Sequence, residues 1–473
     1  MLKVVENPLK DIIENDYCIG CGVCATIESS PYDIKMTDNG TYKAIFNSGS
    51  KIDEAQVKSL KAVCPFSNES KNEDEISKEL YGGISRINHN TNIGYYLKNY
   101  VAYTKKGDFR KNGSSGGMGS WIASKLLEED MVDAILHVGS ADGEEVLFEY
   151  KVSLNQASLN EGAKSKYYPI ELSKVIQYVL ENDLRYAIIG VPCFIKSIRL
   201  LSKENEKIAK RIKYTIGLVC GHLKSDYFAK SIGWELGIHP NNLTEINFRK
   251  KYADKSANNY GVYVKGEDNN QVLENESLTR NLFTTNWGHG FFKYNACEYC
   301  DDVLAETADV TIGDAWLPKY VKDGMGTNVL TIRSKEIYDL VEKYRNELFL
   351  EEVSSEEIII SQSSGLKHRR EGLSYRLHLK DVKNEWRPQK RITASDNIPV
   401  VRKKIYNIRD EIMKKSFDNF QKAIIKDQYD VFVNNMTPII KENDKLTSTK
   451  FHQKVFKRLK KELKLLKIKL DER

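Results

Sequence analysis

The chain has 473 residues, 41% hydrophobic and 29% charged, the composition of a globular protein of about two to four domains. No uninterrupted apolar run reaches about 18 residues, which excludes a membrane-spanning helix of the usual kind. The net charge of +6 is uneven, because residues 401–473 hold 20 Lys and Arg against 10 Asp and Glu and leave −4 on the first 400 residues. This mildly acidic body argues against nucleic-acid binding.

The first 16 residues are charged from the start and contain no apolar stretch of the kind that directs export. We therefore expect the protein to stay in the cytosol. In that reducing compartment, the eight cysteines indicate metal ligands or redox groups rather than structural disulfides.

Residues 1–75 predict a small domain with cysteines near both of its ends. Between the cysteines, residues 34–46 predict a β-hairpin whose turn is formed by Asn39 and Gly40. The polar residues 67–78 that follow predict a linker to the next domain.

Four cysteines of this domain have the spacing of iron–sulfur ligands: Cys18, Cys21, Cys24 and Cys64. Three ligands at two-residue gaps can wrap three corners of a [4Fe–4S] cube where glycines let the backbone turn tightly. A bacterial ferredoxin places its fourth cysteine three residues later, where this chain has Glu28, so we expect the remote Cys64 to complete the cluster. Structural zinc is the alternative, but it prefers pairs of C-x-x-C.

From about residue 90 to residue 392, strand and helix patterns alternate and predict a larger domain of α/β or α+β class with a mixed sheet. A helix is expected at residues 118–129, and the polar residues 243–274 predict a hairpin insertion. Residues 395–473 are Lys-rich with a helical pattern and predict an appended basic tail. The predicted strands are residues 100–104, 132–138, 186–189, 214–219, 310–312 and 328–332.

The other four cysteines lie in three segments of the larger domain: Cys193, Cys220, Cys297 and Cys300. Cys193 and Cys220 each follow a predicted strand, which places both at one edge of the sheet, and the C-x-x-C pair can add two ligands. The spacing alone leaves open a second iron–sulfur cluster, a zinc site, a redox-active dithiol or separate buried thiols.

Three segments resemble the family of the beta subunit of coenzyme F420 hydrogenases and dehydrogenases, which includes the plant hydroxymethyl chlorophyll reductase. They are residues 112–118 (Asn-Gly-Ser-Ser-Gly-Gly-Met), 190–193 (Gly-Val-Pro-Cys) and 297–316. The resemblance covers roughly residues 10–390. It implies a flavin-binding catalytic domain with a ferredoxin-like amino-terminal domain, FAD and two [4Fe–4S] clusters. It also implies that the second cluster is held by Cys193, Cys220, Cys297 and Cys300.

The resemblance further implies a flavin site. Backbone N–H groups of a Gly-rich turn before a helix suit a pyrophosphate or the edge of a flavin, although such a stretch alone is also compatible with a flexible loop. Lys166 offers a charge to offset reduced flavin or its phosphates, with a solvated surface lysine as the alternative. Asp314 follows a buried strand, where ligands collect, with helix capping as the alternative. The flavin candidates are Ser114, Ser115, Gly116, Gly117, Lys166, Tyr167 and Asp314.

His289 lies in an aromatic, Gly-rich stretch and is the candidate proton donor, although a lone histidine is more often structural. Together these features predict an oxidoreductase that moves electrons between ferredoxin or reduced coenzyme F420 and a small organic substrate. An electron-transfer subunit with no substrate of its own and a zinc-stabilised binding module are the alternatives. Residues 455–470 predict a basic amphipathic helix that lies on an anionic membrane surface or packs against the body.

Overall fold

The computed structural model of the chain describes residues 3–4, 6–143, 145–268, 271–448 and 463. Its centre is a mixed eight-stranded sheet, as the alternating pattern predicted. Four neighbouring strands are parallel, and antiparallel strands extend the sheet on both sides. In spatial order, the strands are Leu348–Glu352, Lys98–Thr104, Asn328–Ile332, Val310–Asp314, Ile212–Leu218, Tyr186–Gly190, Ala134–Ser140 and Phe148–Ser153.

The order of the parallel strands decides where the functional residues lie. Tyr186–Gly190, Ile212–Leu218 and Val310–Asp314 are adjacent and run in the same direction, so their carboxyl ends share one edge of the sheet. Cys193 and Cys220 come just after the first two strands, and Asp314 ends the third. Ligands collect at such an edge in α/β proteins.

A second sheet is built from Leu243–Lys250, Gly261–Asp268 and Gln271–Leu278, paired antiparallel in chain order. The sequence predicted a hairpin over residues 243–274, and the structure adds a third strand. That strand is mostly exposed and polar, which is why its alternation of apolar residues is weak.

The amino-terminal domain contains the predicted hairpin, with Tyr32–Met36 paired to Tyr42–Phe46 and a positive φ at Gly40. Lys3–Val4 pairs with Lys51–Ile52. The predicted linker over residues 67–78 is wrong in its second half, because a helix begins within it. The asparagine and glutamate of a reciprocal capping box satisfy the first amides of this helix, Glu73–Tyr81.

The amino-terminal domain is packed into the body. One buried hydrophobic cluster contains Val23 and Leu60 together with Phe194 and Ile195. Hydrogen bonds also join the domains at the hairpin turn and at the helix Glu73–Tyr81. Among them, Asp226 N donates to Gly40 O at 2.9 Å, and the Tyr81 hydroxyl donates to Thr307 O at 3.1 Å.

Residues 400–447 also pack onto the body rather than standing apart as an appendage. The helices Val400–Lys426 and Tyr429–Thr447 form a hairpin whose apolar face joins a cluster of buried aromatic side chains. Phe420 and Phe432 from the hairpin meet Phe291 and Phe292 of the body there. Apart from Leu463, the predicted amphipathic helix at residues 455–470 lies outside the residues that the structure describes.

None of the helices in the described part of the chain is long and apolar enough to cross a membrane.

The short strands Asn88–Asn90 and Gly94–Tyr96 pair with each other. The remaining α-helices are Lys10–Glu14, Glu54–Val63, Phe109–Asn112, Met118–Glu128, Gln156–Glu161, Ser173–Glu181, Pro192–Glu204, Glu206–Arg211, Tyr227–Glu235, Pro318–Val321, Lys335–Lys343, Ser355–Ser361, Ser363–Lys367 and Leu373–Val382.

Candidate functional site

The four cysteines of the amino-terminal domain line one pocket with apolar walls. The Sγ atom of Cys18 accepts bonds from Gly20 N and Ala44 N, both at 3.4 Å. Gly20 has a φ of +64°, and an added Cβ would lie 2.2 Å from Tyr42 O, so this turn needs a glycine. The structure therefore brings together the four ligands predicted for the amino-terminal domain. We call them the leader set: Cys18, Cys21, Cys24 and Cys64.

Burial is the main reason that the pKa of the Cys21 and Cys64 thiols is raised to about 12. The charges of neighbouring cysteines contribute to this rise. Thiols in such surroundings stay protonated unless a metal displaces the proton. A ligand that delivers positive charge to the sulfurs therefore fits this pocket.

The second set is assembled at the sheet edge. Cys297 lies in the short 3-10 helix Asn295–Tyr299, and its Sγ accepts a bond from Leu223 N at 3.2 Å. The pKa of the Cys193 thiol is raised well above its usual range, first by burial and then by the charges of the other three cysteines. The structure thus groups the four cysteines of the larger domain. We call them the body set: Cys193, Cys220, Cys297 and Cys300.

A buried arginine that the sequence analysis missed borders the body set. Arg369 is 1% exposed and donates to the carbonyl oxygens of Cys220, at 3.2 Å, and of Gly221. Its Nε atom has no partner, and the charges of Cys300, Cys220 and Cys297 raise its pKa against the effect of burial. A buried cation of this kind requires nearby negative charge, which a thiolate-ligated cluster supplies.

Both sets consist of thiols alone, the donor set of a [4Fe–4S] cluster. Among the residues that the structure describes, no three His, Cys, Asp or Glu side chains are grouped to hold a single metal ion. A four-iron cluster is larger than one ion, so its ligands stand farther apart. A four-cysteine zinc site has the same donors, so it is the wide grouping of the thiols that fits a four-iron cluster better than a single zinc ion.

The two cysteine sets are neighbours. The charge of Cys21 contributes to the raised pKa of Cys193, although the two residues belong to different sets. The ring of Tyr17, which precedes Cys18, lies 4.9 Å from the ring of Tyr299, centroid to centroid. The two sets are therefore packed against each other within one buried cluster.

The flavin candidates meet at a second residue that the sequence analysis missed. Arg249 is 4% exposed and donates to Asp314 Oδ2 at 3.0 Å, to Ser114 O at 3.3 Å and to the Tyr167 hydroxyl at 3.4 Å. Its Nε atom is buried without a partner. Arg249 thus joins three candidates from separate segments and leaves one donor for a further group.

The Gly/Ser stretch is a packed turn rather than a flexible loop. Ser115 Oγ donates to Thr327 O at 3.0 Å, and an added Cβ on Gly116 would lie 2.6 Å from Ala102 O. Gly117 has a φ of +84° and precedes the helix Met118–Glu128, whose amino terminus faces this turn. The helix end supplies the positive dipole that an anionic cofactor group prefers.

Lysines crowd around the same turn. Lys166 donates to Ala163 O at 2.8 Å, and burial, followed by the charge of Lys164, lowers its pKa to about 7. Lys251 donates to Ser115 O at 3.2 Å, and burial and nearby arginines lower its pKa to about 8. Lys166 is therefore not a solvated surface lysine. A bound pyrophosphate would relieve this crowding of positive charge.

An aromatic bridge connects the body set to these flavin candidates. The ring of His222, two residues after Cys220, lies 4.5 Å from that of Trp287, and Trp287 lies 4.8 Å from Tyr167. His222 Nε2 is buried without a partner, and burial holds the pKa of His222 well below its usual value. The bridge keeps the space between the two sites apolar and packed.

His289 lies elsewhere. Its Nε2 atom is 2.9 Å from Asp444 Oδ1 and 3.1 Å from Asn286 Nδ2, and its ring contacts Phe291. In the described part of the chain, none of these partners is a flavin candidate. The structure thus places His289 against the carboxyl-terminal helix hairpin, and its role as a proton donor stays a prediction.

A cavity of about 390 Å³ lies apart from the flavin candidates. It is bordered by Asp16, Tyr299 and Arg376 and by the helix Val400–Lys426. Tyr299 precedes Cys300, so this cavity opens beside the body set. The flavin candidates converge instead at Arg249 and the Gly/Ser turn.

A mixed α/β sheet that carries two buried four-thiol sets is the architecture of an oxidoreductase. The chain belongs to the coenzyme F420 hydrogenase/dehydrogenase beta subunit family. The amino-terminal model of that family matches residues 99–177 and its carboxyl-terminal model matches residues 183–357, together more than half of the chain.

Two known proteins are similar to this chain. An uncharacterized protein of Methanocaldococcus jannaschii is 24% identical over 230 residues, which cover 48% of this chain and 76% of that protein. A chain in the F420-reducing [NiFe] hydrogenase complex from Methanosarcina barkeri is 15% identical. That match covers 60% of this chain and 92% of the hydrogenase chain, with a TM-score of 0.46.

Proposed function

We propose that this chain is an FAD- and iron–sulfur-dependent oxidoreductase of the cytosol. It moves electrons between a one-electron donor such as ferredoxin, or reduced coenzyme F420, and a small organic substrate. The observation that carries this proposal is that residues of both thiol sets share one buried cluster, and that the rings of His222 and Trp287 connect the body set to the flavin candidates around Arg249. Family membership supports the redox class.

In this proposal, the leader set and the body set each hold one [4Fe–4S] cluster, and the Gly/Ser turn holds FAD. Clusters supply one-electron steps, and a flavin converts them into two-electron chemistry. The chain itself positions these groups. Arg249 fixes Ser114 and Tyr167 relative to Asp314, while Lys166 and Lys251 attract the phosphates.

Metal analysis of anaerobically purified protein tests the proposal. We expect about eight iron and eight acid-labile sulfide per chain, the content of two four-iron clusters, together with one flavin. Cys18→Ser and Cys300→Ser each alter one set, so each should lower the iron content by about half. Stoichiometric zinc without sulfide would contradict the proposal and favour the zinc-stabilised binding module.

The family description as a beta subunit favours a second candidate, an electron-transfer subunit of a larger redox complex. Such a subunit would reduce a co-purifying protein and would not turn over any small molecule. Activity of the isolated chain with ferredoxin and an organic substrate separates the two candidates.

Peripheral membrane contact through residues 455–470 is part of the proposal. The full-length chain should sediment with anionic vesicles and be released by high salt, because the contact is electrostatic. A chain truncated after Ser448 is the matched control and should stay in the supernatant. Equal sedimentation of both forms, or of neither, contradicts a membrane contact.

A further inference from the structure

The two cysteine sets differ in the charged groups beside them. The leader set shares its pocket with apolar side chains, among them Ile12, Val63 and Phe66. Lys196 acts on Cys64, but its ammonium lies 3.3 Å from the Glu73 carboxylate, which offsets its charge. Lys43 donates to Cys18 O at 2.7 Å, and the Asp16 carboxylate, 2.5 Å from its ammonium, offsets that charge in the same way. Both of these cations are therefore paired with carboxylates.

One buried cation without a carboxylate partner borders the body set. Arg369 is 1% exposed, donates to Cys220 O and has no carboxylate within ion-pair distance in the described part of the chain. Burial lowers the pKa of Lys224 well below its usual range, and Lys293 pairs with Glu298, so neither lysine adds a standing positive charge. The Asp301 carboxylate, which acts on Cys300, is itself paired with Arg391 at 3.3 Å. The charge of Arg369 therefore remains available to the thiolates.

We propose that Arg369 holds the body cluster at a higher reduction potential than the leader cluster, so that electrons pass from the leader set to the body set and on to the flavin. This inference rests on the proposed function and adds a direction to it. Each transfer oxidises one cluster and reduces the other by one electron, and no bond forms or breaks. The first electron comes from the one-electron donor, and the flavin accepts the last.

The physical reason is the charge that reduction adds. A reduced cluster carries one more negative charge, which is costly in an apolar pocket and is offset by a fixed cation nearby. The N–H bonds to Cys18 Sγ also favour the reduced leader cluster. They are partial dipoles, however, whereas Arg369 brings a full charge.

The chain offers a matched control for Arg369. Arg333 is equally buried, at 0% exposed, and donates to Ala308 O and the Thr311 hydroxyl. Like Arg369, it has no carboxylate within ion-pair distance among the described residues. Burial lowers the pKa of Arg333, and no cysteine charge counteracts this, whereas cysteine charges raise that of Arg369. The main difference between the two arginines is thus that cysteine thiols act on Arg369 and not on Arg333.

Redox titration of the anaerobically purified full-length chain, followed by electron paramagnetic resonance, measures both midpoint potentials. Cys18→Ser changes a ligand of the leader cluster alone and identifies its signal. In the wild type, we expect the leader cluster to titrate at the lower potential. Arg369→Gln should lower the midpoint potential of the body cluster by at least 59 mV. For a one-electron couple, that shift is a tenfold change in the ratio of oxidised to reduced cluster.

Arg369→Lys keeps the charge and should retain most of the potential, and Arg333→Gln should leave both potentials unchanged. A leader cluster that titrates at or above the body cluster overturns the inference even if a variant fails to fold. An Arg369→Gln protein that contains both clusters but has unchanged midpoint potentials would also overturn the inference. Absence of iron and sulfide contradicts the proposed function instead.

Discussion

Tyr17 packs edge-on against Tyr299, with 4.9 Å between the ring centroids. Each tyrosine immediately precedes a cysteine, Cys18 in the leader set and Cys300 in the body set. Tyr17 is fully buried, so this contact joins the two cysteine loops inside the core rather than at the surface. The loops therefore depend on each other for their conformation.

Tyr17→Ala should lower the iron content of both sets. Loss of a buried aromatic ring costs about 3–5 kcal/mol and leaves a cavity between the two loops. Tyr17→Phe keeps the ring and loses only a hydroxyl bond, at a cost of about 1 kcal/mol. Iron content and the urea midpoint measure both effects. Loss of iron from the leader set alone would show that the loops are independent.

Arg249→Gln should weaken flavin binding. The change removes charge-assisted hydrogen bonds to Asp314, each contributing about 1.5–3 kcal/mol, so we expect flavin affinity to fall roughly 10- to 100-fold. The dissociation constant is measured by titrating flavin into flavin-depleted protein. Arg333→Gln serves as the control for loss of a buried arginine. Equal flavin binding by wild type and Arg249→Gln would place the flavin elsewhere.

Stability should fall in mild acid because of His137. This histidine is 4% exposed, its Nε2 lies 2.7 Å from Ser153 Oγ, and burial lowers its pKa from 6.5 to about 4. In the unfolded chain this histidine binds a proton near pH 6.5, whereas in the folded chain it does so only near pH 4. Acid therefore favours unfolding between about pH 6.5 and pH 4.

Between pH 7.5 and pH 5.5, this histidine should cost about 1.4 kcal/mol of unfolding free energy. Urea unfolding of the wild type and of His137→Gln at both pH values measures it. The variant should lose less stability on acidification than the wild type by about this amount. An equal loss in both proteins would mean that His137 is not responsible.

The carboxyl-terminal helix hairpin should prove essential for stability. Phe432 is fully buried among aromatic rings, whereas Ile425 on the preceding helix is 78% exposed. Phe432→Ala should cost about 3–5 kcal/mol, and Ile425→Ala should stay within about 0.5 kcal/mol of the wild type. Denaturant midpoints measure both. A neutral Phe432→Ala would mean that the hairpin is a dispensable appendage.

Local patterns predicted the central sheet well. The strand Asn328–Ile332 is buried at every position, and its short apolar run marked both of its ends. The Asn39-Gly40 turn was recognisable because a glycine there adopts a positive φ. The helix Glu73–Tyr81 was missed because its exposed face is polar, although the capping box at Asn72 and Glu75 was a usable signal.

The residues that join the sites could not be predicted in the same way. Arg249 comes from the three-stranded sheet, but its partners Ser114 and Asp314 are 135 and 65 residues away in the chain. Trp287 meets His222 and Tyr167 only after folding. A single buried arginine or tryptophan carries no periodic pattern, so only tertiary packing reveals its role.

The packing of the amino-terminal domain into the body has a consequence for biosynthesis. The Tyr17 hydroxyl lies 3.4 Å from Trp386 O, across 369 residues of chain. At about 5–20 residues per second, a ribosome needs roughly 20–75 seconds to add that stretch after Tyr17 emerges. Until then the amino-terminal domain lacks the part of the body that contains Trp386. Its final packing is therefore completed only after translation of that segment, and a nascent chain stalled before Trp386 should be more open to proteolysis.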